Sequence, residues 1–302
     1  MLGPGPPGRS SARRALVPSL VALVLGLCVA AGLGATAGET PRRIIAHLPN
    51  LAEAAFAMGL GDRVVGVSDF VLYPPEAAAK PRVGGVIDPN FERILSLRPD
   101  LALLHSSQAE LAARYRRIGV RALLLSDASI PDVLASFREI GHVCGAPERA
   151  EALVARVQAD LDAVRESARG KRPVRTLVVV GHEPGSLQNL FVAATGSFHD
   201  ALLRIAGGEN VIGRSPIASA KLSTEEILRR NPEAILMLYG EAPPSADETR
   251  RRVALWKPLA YLDAVRNGRV YVLAADYMMI PGPRMGRIAR DMEAALHPPT
   301  GK

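Results

Sequence analysis

The alternation of short apolar runs with amphipathic stretches from residue 43 onward is the feature that most constrains the fold. Each run is apolar at consecutive positions, which is typical of strands buried on both faces of a parallel sheet. The runs form two sets, separated by a long stretch without a strand. The predicted strands are Arg43–Ala46, Val64–Val67, Leu101–Leu104 and Ala122–Leu125, followed by Thr176–Val180, Ala234–Leu238 and Val270–Leu273.

Amphipathic segments between these runs predict helices, so the chain is expected to have an α/β fold. The predicted helices are Leu51–Met58, Asn90–Ser96, Ala109–Ile118, Ile130–Cys144, Ser197–Ala206, Ser223–Arg230 and Arg284–Ala295. Two segments rich in proline or glycine, Glu241–Asp247 and Asp276–Gly286, predict irregular structure.

One helix is predicted to be much longer than the others, over Pro147–Ala168. Its apolar residues Leu153, Val157, Leu161 and Val164 recur at three- and four-residue spacing and form one stripe. At 1.5 Å per residue, the helix would be roughly 33 Å long, enough to cross a domain. It is either an ordinary surface helix or a rigid spacer between an N-terminal lobe (38–146) and a C-terminal lobe (171–302), with residues 147–170 as the link.

The first 37 residues have the pattern of a secretory signal peptide. Arginines at positions 9, 13 and 14 precede an apolar run from Leu16 to Leu33, and Ala35-Thr36-Ala37 supplies small residues for a peptidase. Because Pro18, Gly26 and Gly32 break the run, cleavage after Ala37 is favoured over a retained membrane anchor. We therefore expect an exported or periplasmic protein, with a membrane tether left open.

Charge and cysteine content narrow the function classes. Removing three signal-peptide arginines lowers the net charge from +7 to +4, which gives no indication of nucleic-acid binding. Cys144 would then be the only cysteine, so no internal disulfide is possible. The sequence lacks a nucleophile elbow, a Walker loop and a complete dinucleotide fingerprint. An enzyme is not expected, and a secreted hydrolase is the alternative from that class.

Several segments, in their order and spacing, resemble a known family of receptors. In the first half they are Leu60–Ser68 (LGDRVVGVS), Tyr73–Glu76 (YPPE) and Asn90–Leu101 (NFERILSLRPDL), and in the second half Ala206–Val211 (AGGENV), Leu222–Leu228 (LSTEEIL) and Asn231–Ile235 (NPEAI). Together they resemble the class III periplasmic solute-binding proteins of ABC importers, the helical-backbone metal receptors that bind vitamin B12 and ferric siderophores.

This resemblance implies two Rossmann-like lobes, each with a central parallel sheet, joined by one long backbone helix, with the ligand in the cleft between them. It implies a monomer without a catalytic cofactor that carries a metal chelate, cobalamin or another corrinoid or a ferric siderophore, to a permease dimer with a cytoplasmic ATPase. It also implies that Glu92 and Glu225 dock to the permease. The alternative is that both acids only stabilise the positive ends of their helices.

The ligand is expected at the carboxyl ends of the strands, where open α/β sheets bind their ligands. Four aromatic candidates could cover a large ligand or could simply pack within the lobes. Asp276 and Tyr277, with Pro283 and Arg284, resemble the last cleft loop of the B12 binders. The full set of ligand-binding candidates is Asn50, Phe70, Tyr73, Gly85, His105, His182, Tyr239, Asp276 and Tyr277.

Histidines just after predicted strands leave a second hypothesis open. His47, His105 and His182, together with Asp276, offer the imidazole and carboxylate ligands that zinc, manganese or iron prefer. The chain would then be a receptor for a bare divalent ion, or for haem with one of these histidines or Tyr73 as the iron ligand. The alternative is that the histidines only form hydrogen bonds along the cleft, which the absence of a His-rich loop favours.

Overall fold

A computed structural model describes residues 40–213 and 219–298 of the chain. The predicted signal peptide and its cleavage site lie outside these residues. Within the described residues, no helix combines the length and the apolar composition needed to cross a membrane.

The first sheet has four parallel strands in the order β2-β1-β3-β4. Their residues are mostly buried because helices cover both faces, as the continuous apolar runs predicted. The strands are β1 (Ile44–Ala46), β2 (Val64–Val67), β3 (Leu101–His105) and β4 (Arg121–Leu125). The helices of this half are α1 (Pro49–Ala57), α2 (Pro75–Ala78), α3 (Phe91–Ser96), α4 (Ala109–Arg117) and α5 (Ile130–Val143).

The long helix α6 covers Pro147–Ala168, the range predicted from its apolar stripe. Leu153, Val157, Leu161 and Val164 are all buried. The helix packs against α5 on one side and against two helices that follow it in the chain on the other.

The second sheet is mixed and contains six strands. They are β5 (Val174–Gly181), β6 (Leu190–Ala193), β7 (Gly208–Asn210), β8 (Ser219–Leu222), β9 (Ala234–Tyr239) and β10 (Val270–Ala274). The order is β10-β9-β5-β6-β8, and β7 pairs with the beginning of β5. The helices of this half are α7 (Phe198–Ile205), α8 (Thr224–Arg230), α9 (Ala246–Ala254), α10 (Asp263–Arg266) and α11 (Met285–Leu296).

A central parallel sheet was expected in each lobe, and the second one differs. Strand β6 is antiparallel to β5, and β8 is antiparallel to β6. Strand β8 (SAKL) was not predicted because it is short and partly polar at the edge of the sheet. Strand β6 (LFVA) lies between β5 and β8 and carries a continuous apolar run, so its sequence did contain a signal, although it is only four residues long.

Helix α9 also replaces part of an expected loop. The loop over Glu241–Asp247 ends at Ser245, whose Oγ accepts a hydrogen bond from the backbone N–H of Glu248 and caps α9. No residue of α9 is buried, so the helix has no apolar stripe that the sequence could reveal.

One apolar core connects the two sheets through α6. A single cluster of buried side chains runs from Ile44 of β1, through α6, to Met292 of α11. A second cluster lies on the other face of the second sheet and includes Trp256, and a third lies on the other face of the first sheet. The chain from Thr40 onward forms one compact unit, so the two lobes are distinguished by their separate sheets.

Candidate ligand cleft

Polar side chains meet at the carboxyl ends of β1, β3 and β4. Asn50 Nδ2 donates to Asp127 Oδ2 at 2.9 Å, and His105 Nε2 lies 3.1 Å from Asp127 Oδ1. The backbone N–H of Ser107 donates to His105 Nδ1, so Nδ1 is the acceptor and Nε2 carries the proton. Both ring nitrogens of His105 are therefore engaged, and Asp127 orients both Asn50 and His105.

Three exposed apolar side chains stand on loops beside this cluster. Phe70, Leu72 and Ile87 are 60%, 67% and 90% exposed. Hydrogen bonds join their loops, from the N–H of Asp69 to the carbonyl of Gly84 and from Gln108 Nε2 to the carbonyl of Val86. We call Phe70, Leu72 and Ile87 the apolar wall. Such a group is unusual on a surface unless something covers it.

Gly85 lies in the loop that carries Ile87, close to the Asp88 side chain. A Cβ at this position would lie 2.3 Å from Oδ1 of Asp88. The contact is with the end of the exposed Asp88 side chain, which can rotate away, so this spacing does not by itself require glycine.

The second sheet contributes a cavity of about 540 Å³ between the ends of β5 and β9 and helix α9. His182 and Tyr239 line this cavity as a hydrogen-bonded pair, with His182 Nε2 2.6 Å from the Tyr239 hydroxyl. His182 Nδ1 lies 2.7 Å from the carbonyl of Glu183, which can only accept, so Nδ1 donates and Nε2 accepts from Tyr239. The Arg252 guanidinium lies 4.1 Å from the Tyr239 ring centroid, and burial raises the pKa of the Tyr239 hydroxyl.

A buried ion pair links the two halves of the molecule. Arg284, just before α11, donates from Nε and Nη2 to both carboxylate oxygens of Glu53 on α1, at 2.9 and 2.7 Å. Its Nη1 donates to Asp276 at 2.8 Å, and its guanidinium lies 3.8 Å from the Tyr73 ring centroid. Glu53 and Arg284 are 3% and 9% exposed. Tyr73 and Asp276 thus belong to an inter-lobe cluster around Arg284.

Tyr277 lies next to the same cluster. Its hydroxyl donates to Asp291 Oδ2 at 2.8 Å, and burial together with this bond raises the pKa of Tyr277 to about 12. The Arg284 guanidinium lies 5.2 Å from the Tyr277 ring centroid. The ring is therefore held within the second lobe.

His47 lies in the core, below the cleft. It is fully buried, and its Nε2 lies 2.5 Å from the Tyr115 hydroxyl. Burial lowers the pKa of His47 to about 4, so the ring is neutral at physiological pH.

The four candidate metal ligands do not come together. His47 bonds to Tyr115, His105 to Asp127, His182 to Tyr239 and Asp276 to Arg284. In residues 40–213 and 219–298, no group of three or more His, Cys, Asp or Glu side chains is placed to hold a metal ion.

Glu92 and Glu225 occupy the first turns of α3 and α8, and both are exposed. The helices begin alike, because the side chains of Asn90 and Ser223 accept from backbone N–H groups three residues later. Within the described part of the chain, neither Glu92 nor Glu225 has a hydrogen-bond or ion-pair partner, whereas the neighbouring Glu226 is held by two arginines.

Several residues of the cleft were not anticipated from the sequence. Asp127 follows β4 at the same edge as His105, so the rule that strand ends meet would have found it. Leu72 lies between the predicted candidates Phe70 and Tyr73, and Ile87 lies two residues after the candidate Gly85. Their high exposure, which the sequence does not show, is what marks them. Neither Arg252 nor Glu53 could be identified from the sequence. Arg252 lies on a helix that was not predicted, and the partner of Glu53 is 231 positions away.

The molecule has two sheets covered by helices and joined through one long helix, with polar and apolar side chains at the strand ends. This arrangement is typical of the helical-backbone binding proteins. The model of the periplasmic binding protein family matches residues 44–277. The chain therefore belongs to this family, the class III substrate-binding proteins of ABC importers, which act with a permease and an ATPase.

Named relatives cover most of the chain. An uncharacterized ABC transporter substrate-binding lipoprotein, YvrC of Bacillus subtilis, is 27% identical over 88% of this chain and 83% of its own length. A vitamin B12-binding protein of Pectobacterium carotovorum is 27% identical over 81% of this chain and 84% of its own. The solved structure of the periplasmic heme-binding protein RhuT from Roseiflexus sp. RS-1 has a TM-score of 0.70 and 28% identity, over 84% of this chain and 97% of its own.

Proposed function

We propose that the chain binds a large metal chelate, a corrinoid or a ferric siderophore, in the cleft and delivers it to the permease of an ABC importer. The observation that carries this proposal is the apolar wall beside the cluster of Asn50, His105 and Asp127. A bulky ligand with apolar faces and polar edges would cover Phe70, Leu72 and Ile87 and bond to the polar groups next to them. The relationship to the Pectobacterium vitamin B12-binding protein supports this class of ligand.

A bare metal ion fits the cleft less well. Such ions need three or four side chains with free lone pairs at close range. In the described residues the candidate nitrogens and carboxylates are dispersed and bonded to protein partners.

Haem is a second candidate ligand, and the pair of His182 and Tyr239 favours it. Both side chains lie at the 540 Å³ cavity, and either can ligate iron once their mutual hydrogen bond is broken. The relationship to the heme-binding protein RhuT agrees with this candidate. Tyr73 is the other candidate iron ligand, and its ring packs against the Arg284 guanidinium.

The same proposal includes the organisation of the mature protein. The chain acts as a monomeric receptor without catalysis, exported after loss of residues 1–37. Residues 38–146 and 171–302 form the lobes, and the helical link 147–170 keeps hinge closure small. Docking uses one carboxylate on each lobe, Glu92 and Glu225, because charge pairs at two points orient the complex and raise its association rate.

Ligand competition tests the proposal. The mature chain is mixed with cyanocobalamin, a ferric siderophore, hemin, Zn²⁺ and Mn²⁺, and native mass spectrometry identifies what stays bound. We expect one chelate per chain. Replacing Phe70 and Ile87 together by alanine should weaken its binding roughly 10- to 100-fold, because two apolar contacts are lost. Leu124→Ala on β4, which also removes an exposed apolar side chain, is the matched control.

Three results decide between the candidates. Retention of cyanocobalamin or the siderophore supports the main proposal. Retention of hemin alone, with loss of its colour in His182→Ala, assigns haem. Stoichiometric zinc or manganese without any chelate contradicts both.

A further inference from the structure

The two lobes contain related eleven-residue stretches, at residues 90–100 (NFERILSLRPD) and 223–233 (STEEILRRNPE). In each, a capping residue is followed by glutamate at the third position and by isoleucine and leucine at the fifth and sixth. Proline and an acid occupy the tenth and eleventh positions. Five of the eleven positions carry the identical residue or an exchange of Asp for Glu.

The two stretches are attached to their sheets in the same way. The Asp100 carboxylate accepts from the backbone N–H of Arg43, just before β1, at 3.0 Å. The Glu233 carboxylate accepts from the backbone N–H of Arg175, at the beginning of β5, at 3.2 Å. The guanidinium groups of these arginines bond to backbone carbonyls at the end of the adjoining helix, those of residues 97 and 98 and those of residues 230 and 231. Each lobe therefore presents its copy to solvent in an equivalent setting.

The exposed face of each copy combines an acid with a leucine. Leu95 is 52% exposed and Leu228 is 40% exposed, while the preceding isoleucine in each copy is buried. Each leucine lies three residues after its glutamate, and residues at this spacing are neighbours on one side of a helix. We call Glu92 with Leu95 the first docking patch, and Glu225 with Leu228 the second.

We propose that Leu95 and Leu228 are apolar anchors in these two docking patches, which fit a two-fold symmetric partner. Each half of that partner would present a cationic side chain beside an apolar pocket. Two equivalent patches on one chain match two equivalent surfaces, which a symmetric dimer provides. We take this dimer to be the permease of the importer, a step that rests on the proposed function. The carboxylates govern orientation and association, and the leucines slow dissociation.

The test compares docking of leucine and glutamate variants. The importer of the source organism whose ATPase the wild-type chain stimulates is reconstituted in nanodiscs, and binding rates are measured on a sensor surface. We expect Leu95→Gln and Leu228→Gln each to weaken docking roughly tenfold and together about 100-fold, mainly through faster dissociation. Leu124→Gln is the control, because Leu124 is a similarly exposed leucine (38%) outside both patches.

Glutamate variants and measurements of solute affinity distinguish failure of the anchor role from failure of the proposed function. Glu92→Gln with Glu225→Gln should slow association and reduce its dependence on salt, and all variants should keep the solute affinity of the wild type. If the leucine variants dock like the wild type while the glutamate variants fail, the anchor role is wrong and the proposed function stands. If the wild type stimulates no importer, both fail. If only one leucine matters, or if the leucines hold a dimer of this chain, the two-fold match is wrong.

Discussion

Three histidines at the carboxyl ends of strands have different environments in this molecule. His47, His105 and His182 each stand at the end of a strand, yet His47 is buried against Tyr115 whereas the other two bond to cleft residues. Burial without an ionic partner makes the charged form of His47 costly. The same holds for His199, because burial lowers the pKa of His199 as well.

Acid should therefore destabilise the protein in a defined range of pH. The unfolded chain protonates His47 below its ordinary pKa of 6.5, while the folded chain keeps this pKa at about 4. The free energy of unfolding is thus highest above pH 6.5 and falls as pH drops towards 4, by about 3 kcal/mol from this residue. Urea titrations near pH 7 and near pH 4.5 should show that His47→Gln removes about 2–3 kcal/mol of that loss. An unchanged pH dependence in the variant would show that His47 is protonated in the folded state.

At the scale of elements, α6 is the centre of packing for both sheets. Its apolar stripe lies between α5 and the pair α7 and α11, so core contacts of both lobes meet along one helix. Helix α9 has no buried residue, and ion pairs form along its surface instead. In α9, Glu248 accepts from Arg251 and Arg252 one turn later.

Truncating the stripe should destabilise both lobes together. Leu161 is 4% exposed, and Leu161→Ala should lower the free energy of unfolding by about 2–5 kcal/mol through lost burial and a residual cavity. Gln158→Ala, on the exposed side of the same helix, should change it by less than about 0.5 kcal/mol. Fluorescence of Trp256 reports the second lobe and far-UV circular dichroism reports both. The two transitions should shift together, and a shift in only one of them would mean that the lobes unfold independently.

At the scale of the whole molecule, the ion pair of Glu53 and Arg284 joins the halves across 231 positions of sequence. Both side chains are almost fully buried, so loss of either partner would leave an uncompensated buried charge. The cluster around it, with Tyr73 and Asp276, holds α1 of the first half close to the segment before α11.

Removing one partner should cost more than removing both. Glu53→Ala leaves Arg284 buried with only Asp276, and should lower the free energy of unfolding by about 3 kcal/mol. Replacing the pair by Glu53→Leu with Arg284→Met should restore much of that loss, because no buried charge remains uncompensated. Urea midpoints of the single and double variants measure the difference. A double variant no more stable than Glu53→Ala would contradict this expectation, and its difference from the wild type measures the net contribution of the pair.

Local features could be predicted because their causes are local. The bounds of α6 follow from Pro147 and the apolar stripe, and the central strands follow from residues buried on both faces. The start of α8 follows from the Ser223 cap. The edge strand β8 could not be predicted in the same way, because its pairing with β6 and not its own partly polar side chains holds it in the sheet.

The cleft was predictable only in outline. That Asn50, Phe70, His105, His182 and Tyr239 would lie at strand ends follows from the rule that parallel strands end at one edge. The sequence alone therefore determined the α/β class and the long central helix, and it predicts the edge at which we propose that a ligand binds. Tertiary structure decided which strand-end side chains line the cleft, because His47 is buried in the core while Tyr73 and Asp276 contact Arg284. The environments of these side chains depend on contacts between residues far apart in the chain, and no local sequence pattern reveals those contacts.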